Sequence, residues 1–205
     1  MTSAARPRSV ARRRALPGVA AGKLVPTRHV RYLAEGWGVG ELWLEGERVL
    51  WHELPAPRAQ PTLQARPFKG GDEPPWITLA DCGPRDCDDS VPEVARRVAA
   101  YFAGARVAFD DVKIDLEWCT PFQRAVAEAL RGVPYGETVT YGELAALSGH
   151  PNAQRAAGTF CARNRLPLIL PCHRVISAGG LGSYGSLGVG YKRRLLELEG
   201  VADAL

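Results

Sequence analysis

Pro171-Cys172-His173-Arg174-Val175 follows an apolar run, Leu166 to Leu170, and precedes a glycine-rich stretch. A cysteine beside a histidine at the end of a buried segment is a candidate nucleophile, because thiolate is the reactive form of sulfur and a nearby base helps make it. Adjacent side chains on an extended chain point to opposite faces, so His173 is expected to reach the Cys172 sulfur through a bridging water. The alternative is a structural cysteine, since unpaired cysteine is among the most buried residue types. The other cysteines, at 82, 87, 119 and 161, complete an odd set and read as reduced thiols rather than a disulfide framework. Cys82 and Cys87, with His29 or His52, have the residue types of a structural zinc site. Ordinary loop thiols account for them better, and no metal is expected. The stretch Gly179–Gly188 lacks a following Gly-Lys-Ser/Thr, so it does not read as a phosphate cradle.

The elements that must position these residues are unevenly legible. Two runs rich in Leu, Val and Trp flank Glu45-Gly46-Glu47, which predicts a hairpin over Val39 to Leu54. Residues 55–90 carry many prolines and should be mostly irregular, with a short strand at Trp76–Leu79. Ser90-Val91-Pro92-Glu93 has the form of a capping box, opening a helix through Phe102 that Gly104 ends. Ile114 and Leu116 suggest a short strand leading into a linker. In the second half, Phe122, Val126 and Leu130 mark one helix. Thr140-Tyr141-Gly142-Glu143 is a second capping box, whose helix Gly149 stops, and Asn152 is a candidate cap for a third helix through Cys161. The last two helices have the outline of a helix-turn-helix, although many helical pairs with that outline are simply core.

Charge is concentrated at the start. Residues 1–28 hold Arg6, Arg8, Arg12, Arg13, Arg14, Lys23 and Arg28 and no acid, within a chain of net charge +4. They read as a basic arm, whether a plain tail, a nucleic-acid-tracking segment or a transit peptide. With no apolar membrane-length run and no secretory h-region, the expectation is a cytoplasmic protein without a membrane partner.

Further motifs stand in a fixed order: Thr120-Pro121-Phe122-Gln123, Val133-Pro134-Tyr135-Gly136-Glu137-Thr138, Tyr141-Gly142-Glu143-Leu144-Ala145, Arg155-Ala156-Ala157-Gly158, Asn164, the cysteine pentapeptide, and Leu195-Leu196-Glu197-Leu198-Glu199-Gly200. By these motifs the stretch from about Ala108 to Gly200 resembles the O6-alkylguanine-DNA alkyltransferase family of direct-reversal repair proteins; residues before it match weakly. The resemblance implies an α/β N-terminal domain of RNase H-like fold over residues 29–112. After it comes a mainly α C-terminal domain over 113–205 with a winged-helix-like helix-turn-helix. It makes Cys172 the alkyl acceptor in a single, irreversible turnover, with His173 acting through water and Glu199 orienting the histidine. Tyr141 is implied to bind the extruded guanine and help it leave neutral, and Tyr184 belongs to the loop covering the pocket. Arg155 would enter the base stack, and Asn164 would tie the recognition helix to the active-site segment. Ala156 and Gly158 would let the helix approach the minor groove, while Val175 and Ser186 would line the guanine pocket through their backbones. No cofactor is implied. The expected partner is double-stranded DNA containing O6-alkylguanine, bound by a monomer that is nucleoid-associated if the source is prokaryotic. Departures from the family pattern are Leu187 in the loop, Trp118-Cys119 and Ala127, the last two pointing to altered packing between domains. Two other readings use the same residues: a lesion sensor that binds without transfer, and a cysteine hydrolase.

Overall fold

The computed structural model describes residues 28–56, 77–78 and 91–201. Strands β1 (Arg28–Ala34), β2 (Gly38–Glu45), β3 (Arg48–Ala56) and β4 (Ile77–Thr78) form one sheet in the order β3-β2-β1-β4. The first three are antiparallel neighbours, and β4 runs parallel to β1. The expected hairpin is β2–β3, and β4 falls within the expected short strand. Strand β1 was not anticipated, although Val30, Tyr32 and Ala34 alternate as buried residues along it. Arg28 therefore opens a strand rather than ending an arm; residues 1–27 lie outside the described residues, as do Ser90, Cys82 and Cys87.

Helix α1 (Glu93–Phe102) lays Val94, Ala95, Val98, Tyr101 and Phe102 against β1. Pro92 occupies its cap position and no side chain caps it; the expected box rests on Ser90, outside the described residues. Proline at that position supplies the fixed φ that starts the helix without needing a side-chain acceptor. The expected strand at Ile114 reduces to a single parallel bridge. Val49 N–H donates to the Lys113 carbonyl at 2.8 Å, and Asp115 N–H donates to the Val49 carbonyl at 2.9 Å. His52 N–H further along β3 donates to the Arg165 carbonyl at 2.9 Å. The free edge of β3 is thus covered by segments from the C-terminal half, which removes unpaired backbone groups from that edge.

The second half contains α2 (Pro121–Arg131), β5 (Val139–Thr140), α3 (Tyr141–Leu147), α4 (Gln154–Ala162), β6 (Val175–Ile176) and α5 (Gly188–Leu198). Both Thr120 and Thr140 form complete capping boxes, with Gln123 and Glu143 respectively. Asn152 does not cap α4; Ala153 holds that position and Asn152 adopts a φ of 72°. The tight turn between α3 and α4 needs a left-handed residue there, a conformation asparagine tolerates. Strands β5 and β6 pair in parallel beside the helix pair. One hydrophobic cluster runs from Val30 on β1 to Leu195 on α5 and includes Cys172.

Candidate active site

The apolar run before Cys172 is wound rather than extended. Leu170 N–H donates to the Leu166 carbonyl at 2.8 Å, and Cys172 N–H to the Leu170 carbonyl at 2.7 Å. Leu168 is buried with a φ of 70°, a costly conformation for a bulky side chain. Cys172–Arg174 then form one 3₁₀ turn. The expectation of opposed neighbours on an extended chain gives way to side chains roughly 120° apart. Cys172 and His173 still diverge, and His173 Nδ1 is buried without a hydrogen-bond partner among the described residues.

Asn164 is the clamp on this segment. Its amide nitrogen donates to the Leu170 carbonyl at 2.7 Å and to Cys172 Sγ at 3.1 Å. Its oxygen accepts from Leu166 N–H at 3.0 Å. One side chain just after α4 thus fixes both the turn and the sulfur. Burial raises the Cys172 pKa, while the hydrogen bond from Asn164, the nearby Tyr184 hydroxyl and the Lys192 charge pull the other way. The net direction is upward, so the resting group holds its proton.

The next two residues, His173 and Arg174, enter a buried polar cluster. His173 Nε2 donates to Glu199 Oε1 at 2.8 Å. Glu199 closes α5, and its carboxylate also receives Arg174 through Nε and a terminal nitrogen, both at 2.9 Å. Gly136 N–H adds a bond at 3.1 Å and the Tyr101 hydroxyl one at 2.7 Å. Glu199 is buried whereas Glu197 is exposed, which separates the two glutamates that sequence placed two residues apart. Burial opposes ionisation of Glu199, but hydrogen bonds and charges from His173 and Arg174 outweigh it and hold the carboxyl well below the usual range. Burial pushes the His173 pKa down despite Glu199. The ring is therefore neutral near pH 7, with Nε2 carrying the proton and Nδ1 free to accept one.

Tyr184 sits before the 3₁₀ turn Gly185–Leu187, stacked on Tyr191 with ring centres 6.2 Å apart. Burial foremost, then the Cys172 charge, raises its phenol pKa. Leu187, the departure in this loop, packs onto the core, while Ser186 is exposed. Tyr141 heads α3 with its ring over Gly158, where an added Cβ would stand 3.6 Å away in ordinary contact. Burial and the nearby Cys161 and Cys172 raise the Tyr141 pKa, so it remains a hydrogen-bond donor. Val175 is buried on β6, and its carbonyl accepts from Lys192 Nζ at 2.5 Å; the same ammonium reaches the Leu181 carbonyl at 2.5 Å. Arg155 and Ala156 lie exposed on α4, away from the buried cluster.

Three contributors were missed in the sequence: Arg174, Lys192 and Tyr101. Arg174 lies inside the pentapeptide itself. Lys192 precedes Leu195, Leu196 and Glu199 at helical spacing, so a lysine on the apolar stripe of α5 was a readable signal. Tyr101 looked like one more core residue. Trp118 stacks on Phe160 of α4 and holds the Arg165 guanidinium 4.5 Å from its ring centre, and Arg165 also lies over Trp51 of β3. That departure thus joins the two halves, while Ala127 is fully buried.

The zinc alternative loses one of its histidines. His52 Nδ1 donates to the Pro167 carbonyl at 2.6 Å, and its Nε2 accepts the Tyr32 hydroxyl at 2.7 Å. His29 bonds Glu41 and stacks on Trp43. Among the described residues no group of three His, Cys, Asp or Glu side chains is placed to hold a metal. None of their helices is long and apolar enough to cross a membrane.

A buried thiol held by an amide, followed by a histidine bonded to a buried glutamate, in a half that also carries a two-helix motif, has the residues that thiol-based group transfer requires. The family model of the 6-O-methylguanine DNA methyltransferase DNA-binding domain matches residues 121–201. A methylated-DNA–protein-cysteine methyltransferase of Methanosarcina acetivorans is 50% identical over 109 residues, covering 53% of this chain and 68% of that one. Its counterpart in Mycobacterium tuberculosis is 52% identical over 101 residues, 49% of this chain and 59% of that protein. The crystal structure of Mycobacterium tuberculosis OGT in complex with DNA superposes with a TM-score of 0.60 at 33% identity, covering 84% of this chain and 92% of that one. The chain belongs to the methylated-DNA–protein-cysteine methyltransferase family.

Proposed function

We infer that this protein repairs alkylated DNA by direct reversal, moving the alkyl group from O6 of guanine to Cys172 in a single turnover. The observation that carries this reading is the buried Cys172 sulfur, held by the Asn164 amide at 3.1 Å, with the next residue, His173, bonded to Glu199. A target O6 inside a duplex is out of reach of such a sulfur, so the nucleotide must leave the stack. Arg155, exposed on α4, would fill the gap, and the small Ala156 and Gly158 would let the helix come close to the minor groove. In the transfer step a bond forms between sulfur and the alkyl carbon while the carbon–O6 bond breaks and its electron pair stays on the guanine. The thiol proton passes through water to His173 Nδ1, and Glu199 steadies the resulting imidazolium. Tyr141, kept protonated, donates to the departing guanine. Val175 and Ser186 contribute backbone groups to the base pocket, under a loop carrying Tyr184. No cofactor takes part.

The winged-helix-like character of the C-terminal domain (113–205) is supported by the α3–α4 pair beside β5 and β6. The N-terminal domain (29–112) is assigned an RNase H-like fold on family membership. The protein acts as a cytoplasmic monomer on duplex DNA.

The test is intact mass after incubation with a duplex carrying one O6-methylguanine. Wild type should gain one methyl in place of one hydrogen on Cys172, guanine should be restored stoichiometrically, and Cys172→Ser should show neither. Lesion binding by reduced, folded wild type without any adduct would replace this reading with that of a sensor.

A further inference from the structure

Resting on the alkyl-transfer reading, we propose that Tyr101, contributed by α1 from the N-terminal half, is a positioning residue of the reaction, holding Glu199 and setting how strongly that carboxylate draws on His173. Its hydroxyl donates to Glu199 Oε1 at 2.7 Å, the same oxygen that accepts His173 Nε2 at 2.8 Å. A terminal nitrogen of Arg174 donates to that oxygen as well, at 2.9 Å, so three donors share one acceptor, and the phenol oxygen also lies 3.4 Å from His173 Nε2. Tyr101 is almost fully buried, with its ring among those of Phe102, Phe109, Tyr135 and His173. Packing alone would be served by phenylalanine, and a buried hydroxyl stabilises nothing unless it finds a partner. The partner it finds is the one carboxylate that orients the base.

The charged and titratable groups facing this pair are few. Arg174, Tyr101 and His173 face Glu199, while Glu199, Arg174 and Lys192 act on His173. Tyr135 and Arg174 act on Tyr101. The phenol is the hydroxyl donor to this carboxylate, and through it the strength of the histidine–glutamate bond is set. Removing it leaves more electron density on Oε1, tightens the bond to His173 Nε2–H and makes the ring more basic. The ring would then protonate at higher pH, and protonated His173 cannot take up the thiol proton.

The experiment measures single-turnover alkyl transfer against pH for wild type, Tyr101→Phe and protein carrying 3,5-difluorotyrosine at position 101, a more acidic phenol and stronger donor. In parallel, imidazole ¹⁵N NMR follows the His173 titration directly, without any transfer. Tyr101→Phe should move the acid limb and the ring titration upward by on the order of half a pH unit, and difluorotyrosine should move both downward. Lesion-duplex affinity, measured in a Cys172→Ser background, should not change. A purely structural tyrosine would alter melting temperature while leaving both profiles superimposed on wild type, and that result overturns the proposal. Should Tyr101→Phe fail to fold, the fluorinated protein decides alone, because its ring is nearly unchanged in size. Absence of transfer by wild type would count against the repair reading, whereas the NMR titration would still decide the role of Tyr101.

Discussion

At the scale of single residues, the site separates holding a thiol from ionising it. Cys172 rests protonated because burial outweighs the favourable contacts, and His173 Nδ1 is buried without a partner among the described residues. Asn164 is the residue through which this arrangement is most exposed to mutation, since it touches Sγ, the Leu170 carbonyl and the Leu166 amide. A hydrogen bond to a group that becomes charged contributes about 1.5–3 kcal/mol, so Asn164→Ala should slow alkyl transfer by roughly ten- to a hundredfold. The same variant should raise the pH at which Cys172 reacts with iodoacetamide. Alkylation kinetics across pH check both; an unaltered pH dependence would mean that the amide only braces the turn.

Elements bring these residues to within hydrogen-bond distance, and their ends do most of the placing. Helix α5 delivers Lys192 from its middle and Glu199 from its C-terminal end, while the capping box at Thr140 fixes the start of α3 and hence Tyr141. The turn after α2 is equally specific. Gly136 has a φ of 79°, its N–H bonds Glu199 Oε2, and an added Cβ would lie 3.1 Å from the Glu199 carbonyl. Gly136→Ala therefore combines left-handed strain with crowding against a backbone atom. It should destabilise the fold by about 1–3 kcal/mol, read as a lower urea midpoint at unchanged slope, and slow transfer because Glu199 is displaced.

For the whole molecule, the important joint is between the sheet and the segment leading to Cys172. His52 on β3 donates to the Pro167 carbonyl and accepts from Tyr32 on β1, so a neutral imidazole links the N-terminal sheet to the active-site turn. Burial lowers its pKa from 6.5 to about 4, against a smaller opposing effect of the Pro167 bond. The folded state thus binds this proton less readily than the unfolded chain. Its stabilising contribution is complete above about pH 6.5 and is lost as pH falls toward 4, amounting to about 3 kcal/mol. Denaturant titrations of wild type should show that decline, and His52→Gln, which cannot titrate, should flatten it while lowering stability at pH 7. Parallel curves for the two proteins would remove His52 from the acid response.

What the sequence determined by itself was the chemistry and most of the local structure around it. The Pro-Cys-His-Arg-Val run, the Thr140 capping box and the β2–β3 hairpin are written in neighbouring residues, because caps, turns and periodic faces depend on short-range geometry. Those signals failed in two places: Asn152 takes a left-handed φ in the turn, leaving Ala153 at the start of α4 with no side-chain cap, and Ile114 makes one bridge to Val49 rather than a strand. Only the tertiary structure decided that Arg174 and Tyr101 share the Glu199 carboxylate, and that β3 is closed by residues from the other half. The physical reason is that a buried polar group must be satisfied by whatever donors the packed chain brings within about 3 Å. The partners of Glu199 come from positions 101, 136, 173 and 174, a set that no local pattern in the chain connects.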